Sequence, residues 1–298
     1  MMNFLSPAEI AVAASNAGKT KAEMAFGKLF ILGILAGVYI GFGANLATKI
    51  GSMANAGTSG GQFLFGATFS VGLMMVVIAG AELFTGNNMA CFISAMNGQA
   101  KWGGLLYNWV VVFFANFVGS VLLVYIIFYG FFWASNDANG ALVLSDHGIK
   151  ALSIAKSKMG LSFSNVFFRA ICCNWLVCLA VWMAFAAKDI VGKIFSIFFP
   201  IMAFVSSGFE HCVANMFFIP MGITITNAAP ELVASQFNMT VADAVSFFSY
   251  SNFITANLIP ATLGNIVGGA LFVGGIYWYA YMRKAPASTV KVEQTAKG

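Results

Sequence analysis

Charge is the scarcest property of this chain: Asp, Glu, Lys and Arg make up 8% of its 298 residues, while 60% are hydrophobic. A soluble domain carries roughly 25% charged residues. An ordinary soluble protein is therefore excluded, and an integral membrane protein is expected. Histidine is nearly missing, with only His147 and His211. An intramembrane metal hydrolase would need His-Glu-x-x-His on one helix, and His147 reads as a loop residue, so no metal ligand set is expected. No Asn-Pro-Ala pair occurs, which sets the chain apart from water and glycerol channels. The five cysteines (Cys91, Cys172, Cys173, Cys178, Cys212) are odd in number, lie in apolar segments and read as small buried hydrophobes. Residues 1–28 have neither a basic start nor a cleavable apolar core, so no signal peptide is expected. The net charge of +5 then bears on loops and orientation, not on nucleic acid.

What is present is a set of six apolar segments, and a span needs about 20 such residues. They run over Leu29–Thr48, from Phe63 through Met96, over Leu105–Trp133 and Val166–Ala187, from Ile194 to Met221, and from Pro260 to Tyr281. The second reads as two half-helices broken around Leu83, Thr85 and Gly86. The fifth breaks at Ser206-Ser207-Gly208. Before them, Ser6-Pro7-Ala8-Glu9 combines an N-cap, a proline at the first helical position and a capping-box glutamate. Ile10, Ala13, Ala14 and Ala17 then share a face, so residues 1–27 are expected to hold a short surface helix. Residues 284–298 are expected to form a flexible tail on a single transmembrane domain. With both termini cytoplasmic, ten Lys and Arg fall inside and five outside, which satisfies the positive-inside rule. The connection between the third and fourth segments breaks the trend with Lys150, Lys156 and Lys158. The longest late polar connection lies between Met221 and Ser246.

The halves repeat. Gly80-Ala81-Glu82 with Asn87 echoes Gly208-Phe209-Glu210 with Asn215, and Asn116-Phe117-Val118-Gly119 echoes Asn265-Ile266-Val267-Gly268. Three spans per half is an odd number, so the second copy must be inverted. Inverted repeats with broken helices meeting at mid-membrane are a transporter or channel architecture. Ionisable groups at that depth mark a pathway by default. That singles out His211, whose side chain exchanges protons near neutrality. Glu82 and Glu210 are expected to accept hydrogen bonds from backbone N–H groups freed at the breaks, since such groups cannot stay unpaired in lipid. Asn87, Asn215, Asn174, Asn116 and Asn265 are expected to satisfy the breaks or join helices, with Asn174 also placed beside the pore.

Three stretches, GAELFTGN (80–87), GFEHCVANMFFIP (208–220) and NLIPATLGNIVGG (257–269), resemble the formate/nitrite transporter family, and the likeness covers almost all of residues 1–283. Residues 216–223 and the Asn-Leu-Ile-Pro run are most similar to formate channels and their hydrosulfide-conducting relatives, less to nitrite channels. Cys212 stands where serine is common in relatives. The resemblance implies an all-α, aquaporin-like fold and a homopentamer in the bacterial inner membrane. Each protomer would have its own pore for small monovalent anions or their acids, and no cofactor. It implies that Thr85 faces His211 in the pore, that Phe69, Leu73 and Phe204 form apolar constrictions, and that Lys21 and Lys158 are vestibule lysines.

Solvation then shapes the expected mechanism. A bare anion crossing the apolar slits loses its water at great cost. Lysines draw it in, and Thr85 with His211 binds it between the slits. Proton transfer from His211 or its bound water would make a neutral acid that crosses cheaply. Alternatively the anion passes intact and His211 only donates a hydrogen bond.

Overall fold

The computed structural model describes residues 4–54 and 58–283, so the expected tail at 284–298 lies outside the described residues. The chain is mostly helical. Helix α1 (Pro7–Ala22) starts with the capping box the sequence predicts: Ser6 N–H donates to Glu9 Oε2 at 2.7 Å and Glu9 N–H returns a bond to Ser6 Oγ. Its buried face is Ile10, Ala11, Ala14, Ser15, Gly18 and Ala22, with Ala13 and Ala17 only half-buried at its edge. Those small residues let α1 lie close against a later helix, α5 (Phe84–Met96).

The apolar segments become α2 (Phe26–Met53), the pair α3 (Ser59–Phe69) and α4 (Val71–Ala79), α6 (Trp102–Tyr129), α8 (Phe163–Ala186), α9 (Ile190–Ser206) and α10 (Cys212–Ala228), and a final helix over residues 250–281. Between α6 and α8 lie a two-stranded antiparallel ribbon, Ala134–Asn136 with Leu142–Leu144, and α7 (Asp146–Met159). Among the described residues, five helical stretches are long and apolar enough to cross a membrane: α2, residues 59–79, α6, α8 and residues 241–281. A sixth is added if α10 and α11 (Pro230–Phe237), bent by 112° at Ala229, count as one. α9 is apolar but only 17 residues long.

Several expectations need correction. The first break lies at Gly80–Leu83, just ahead of the expected Thr85 and Gly86. Gly80 takes φ +85°, which a side chain resists, so α4 must stop there. Thr85 and Gly86 fall in the first turn of α5. The final helix begins ten residues before Pro260, because a wider π-helical stretch at Phe253–Leu258 runs directly into α-helix at Ile259–Ile266 and accommodates the proline, which has no N–H to donate. The polar connection after Met221 is helical, through α11 and α12 (Val241–Phe247). Finally, His147 is buried in the first turn of α7 rather than in a loop, and Cys172 is exposed while the other four cysteines are buried.

Close packing follows the repeat as well. A Cβ on Gly119 would meet Ile34 O at 2.0 Å, and one on Gly268 would meet Ile171 O at 2.3 Å. These glycines let α6 and the final helix press their backbones onto α2 and α8 at matching places.

Candidate functional site

The two breaks are wired by the same set of side chains. In the first, Asn116 Oδ1 accepts from Phe84 N–H at 2.9 Å, while its Nδ2 donates to Gly33 O and Glu82 O at 2.8 and 2.9 Å. In the second, Asn265 Oδ1 accepts from Cys212 N–H at 2.9 Å, and its Nδ2 donates to Ala170 O and Glu210 O at 2.8 and 3.0 Å. One amide thus satisfies three backbone groups at each break, where water is not available to do so.

The carboxylates do something else, which corrects the sequence expectation. Glu82 Oε1 takes Lys21 Nζ at 2.6 Å and its Oε2 takes Asn87 Nδ2 at 2.8 Å. Glu210 Oε1 takes Lys158 Nζ at 3.0 Å and its Oε2 takes Asn215 Nδ2 at 2.7 Å. One further asparagine closes each cluster: Asn108 and Asn257 accept from Asn87 and Asn215, and donate to the carbonyls of Lys21 and Lys158. A charge this deep is costly unless paired and hydrogen-bonded. The lysine is its pair, so Lys21 and Lys158 are only partly available to a passing anion.

Between the breaks the copies differ, and here the chemistry gathers. His211 is the N-cap of α10: its Nδ1 accepts from Ala214 N–H at 3.0 Å. An Nδ1 that accepts carries no proton, so the neutral ring holds its proton on Nε2. Nε2 lies 3.0 Å from Thr85 Oγ1 and therefore donates to it, leaving the threonine hydroxyl hydrogen to be given elsewhere. Leu83, which matches His211 in the first copy, caps nothing. The N-terminal ends of α5 and α10 thus meet at the Thr85–His211 pair, each carrying the partial positive charge of a helix start.

Phe69, Leu73, Phe204 and His211 line a narrow void with Ile40 and Leu83, too tight for a water-sized sphere. Phe69 and Phe204 meet edge to face with centroids 5.9 Å apart. On one side opens a cavity lined by Lys21, Lys28, Leu73 and Glu82. On the other lies a cavity lined by Lys150, Lys158, Arg169, Phe204 and Glu210. The expected residues are thus brought together around one narrow void with a cavity on either side. Asn174 is the exception. It sits behind the pore, fully buried, where its Nδ2 donates to Thr85 O and Asn265 O at 3.1 and 2.6 Å and so ties the threonine to the second break.

A profile described as formate/nitrite transporter matches residues 8–279. The chain belongs to the formate/nitrite transporter family. That family comprises transporters and channels, not enzymes. The chain is 43% identical over 291 residues to a probable formate transporter of Methanothermobacter thermautotrophicus, covering 95% of this chain and 99% of the relative. It is 39% identical over 294 residues to the formate channel FocA of Escherichia coli K12, covering 95% and 96%. A solved pentameric formate channel with formate bound superposes with a TM-score of 0.73 at 39% identity, covering 87% of this chain and 98% of that one. This member of the family is thus a multi-pass membrane protein with the helical architecture of its solved relatives.

Two site residues were missed from sequence. Asn108 and Asn257 precede Asn116 and Asn265 by eight residues each, about two helical turns, and face the same way. Extending the repeat backward by that distance would have found both.

Proposed function

We propose that the protein is a channel for formate and similar small monovalent anions, assembled as a homopentamer with one pore per protomer. The relatives it matches over nearly its full length include formate channels, and a matching solved structure is a pentameric formate channel with formate bound. The observation that carries the reading is the Thr85–His211 bond beside a narrow void that Phe69, Leu73 and Phe204 line together with His211, with cationic cavities on both sides. An anion stripped of water in the slit meets the threonine hydroxyl and the two helix starts, which replace part of its hydration. The lysine balance supports an orientation in the bacterial inner membrane with both termini cytoplasmic, so that the Lys158 mouth opens outward. Hydrosulfide and nitrite are of similar size and charge and are the alternative cargoes.

For proton coupling, the geometry favours His211 as a hydrogen-bond donor. A second proton on the ring would have to sit on Nδ1 and would break the cap on Ala214 N–H. Donation from the neutral ring would leave an imidazolate.

The test is uptake of labelled formate, nitrite and hydrosulfide side by side in proteoliposomes. Formate is expected to pass readily while acetate and larger carboxylates are excluded by the slit. Leu73→Ala and Phe204→Ala remove buried side chains that line the void. Each is expected to admit acetate while still passing formate. Unchanged size selectivity in correctly assembled variants would take both residues out of the constriction.

A further inference from the structure

The Lys158 mouth carries more positive charge than its own ion pair can use. Three cations, Lys150, Lys158 and Arg169, line it against one carboxylate, Glu210. The opposite mouth has two cations, Lys21 and Lys28, against Glu82. Lys158 is committed to Glu210 at 3.0 Å. The surplus therefore resides in Lys150 and Arg169, neither of which makes an ion pair among the described residues.

Lys150 is also held in place. Its stem lies against Gly51, where a Cβ would come within 3.1 Å of Lys150 Cε, and its Nζ stands 5.8 Å from the centroid of Phe65. Half-buried and without an acidic partner, its amine is pushed below the ordinary lysine range by desolvation. An arriving anion would relieve that cost.

The ring under Lys150 is the first of a series. Phe65 stacks on Phe218 at 6.1 Å, Phe218 on Phe69 at 6.3 Å, Phe69 meets Phe204 edge-on at 5.9 Å, and Phe204 lies 5.9 Å from the His211 ring. Lys158 Nζ stands 5.7 Å from Phe218, the second ring. Cations thus sit on two successive rings of a ladder that ends at the binding pair, and the outer one is not neutralised.

We propose that Lys150 and Arg169 form a receiving site for a small monovalent oxyanion at this mouth, one rung outside Lys158. They, rather than Lys158, supply the charge that gathers anions there. The inference rests on the channel reading above. It names which charges set the affinity from this side.

The experiment compares wild type with Lys150→Gln, Arg169→Gln and the double variant, measuring formate influx in membrane vesicles of known orientation over a range of formate and salt concentrations. For flux entering at the Lys158 mouth, the double variant is expected to need roughly tenfold more formate for half-saturation, the low end of electrostatic steering. It is expected to lose most of the salt dependence of the wild type. Maximal flux, and flux entering from the Lys21 mouth, are expected to stay at wild-type levels, as no merely structural defect would allow. Lys150→Arg keeps the charge and is expected to keep the affinity. Wild-type half-saturation and salt dependence in the double variant would overturn the proposal. Broadening of the carbon-13 formate signal by detergent-solubilised protein gives a reading that needs no transport: it is expected with wild type and reduced in the double variant, and equal broadening would also overturn the site. If wild type carried no small anion at all, the channel reading would fall while this measurement still decided the site.

Discussion

Asn265→Leu is expected to destabilise the assembled fold strongly. The substitution keeps approximate volume but removes an acceptor and two donor bonds from a place without water. Cys212 N–H, Ala170 O and Glu210 O lose their partner together. An unsatisfied buried polar group costs about 1–3 kcal/mol, although interhelical hydrogen bonds within membranes average about 0.6 kcal/mol because the unfolded chain also finds partners in the bilayer. Three groups at one position give a loss of roughly 2–9 kcal/mol on those figures, a large share of the 5–15 kcal/mol that holds a typical protein. Glu210→Gln should cost less. Glutamine can still accept from Asn215, and the lysine it leaves unpaired borders a cavity. The comparison is made by thermal unfolding of the purified proteins in detergent, followed by size-exclusion profile. An Asn265→Leu protein that melts with the wild type, or above Glu210→Gln, would mean the amide is not what holds the second break together.

That ranking could not have been read from the residues alone, and the reason is physical. Composition and apolar length give the spans, because lipid allows almost no alternative to helix. The breaks announce themselves through Gly80 and Gly208, which take φ +85° and +71°, and through glutamates that have no other business at that depth. The identity of each break's partner depends on which side chain reaches across from another helix. From sequence, a carboxylate is the natural acceptor for loose N–H groups. In the structure an asparagine does that work, because it can donate as well as accept and so serves both strands of the broken backbone, whereas an ionised carboxylate could satisfy only donors. The carboxylate then needs a counter-charge, and it draws the vestibule lysines Lys21 and Lys158 inward. Asn174 illustrates the same limit. Its polarity in an apolar segment marked it as functional, but its three-way reach behind Thr85 only exists once α5, α8 and the final helix are packed.

His211→Asn is expected to leave the fold intact, cut formate flux at least tenfold, and leave the ratio of protons to formate unchanged. Asparagine is among the best N-caps, and its Oδ1 falls near the place of Nδ1, so the bond from Ala214 N–H should survive. Its Nδ2, however, ends about where the ring carbon stands and does not reach Thr85 Oγ1 as Nε2 does at 3.0 Å. The threonine hydroxyl then loses the donor that orients and polarises it toward the anion. A hydrogen bond to a charged group is worth about 1.5–3 kcal/mol, which sets the expected loss at roughly ten- to a hundredfold in rate. If His211 instead hands its own proton to the anion, the asparagine variant should lose proton uptake and still leak formate. Proteoliposomes that report internal pH and labelled formate together separate the two. Formate entry that persists without accompanying protons would reject the donor-only role and require the ring to give up its cap on α10 in each cycle.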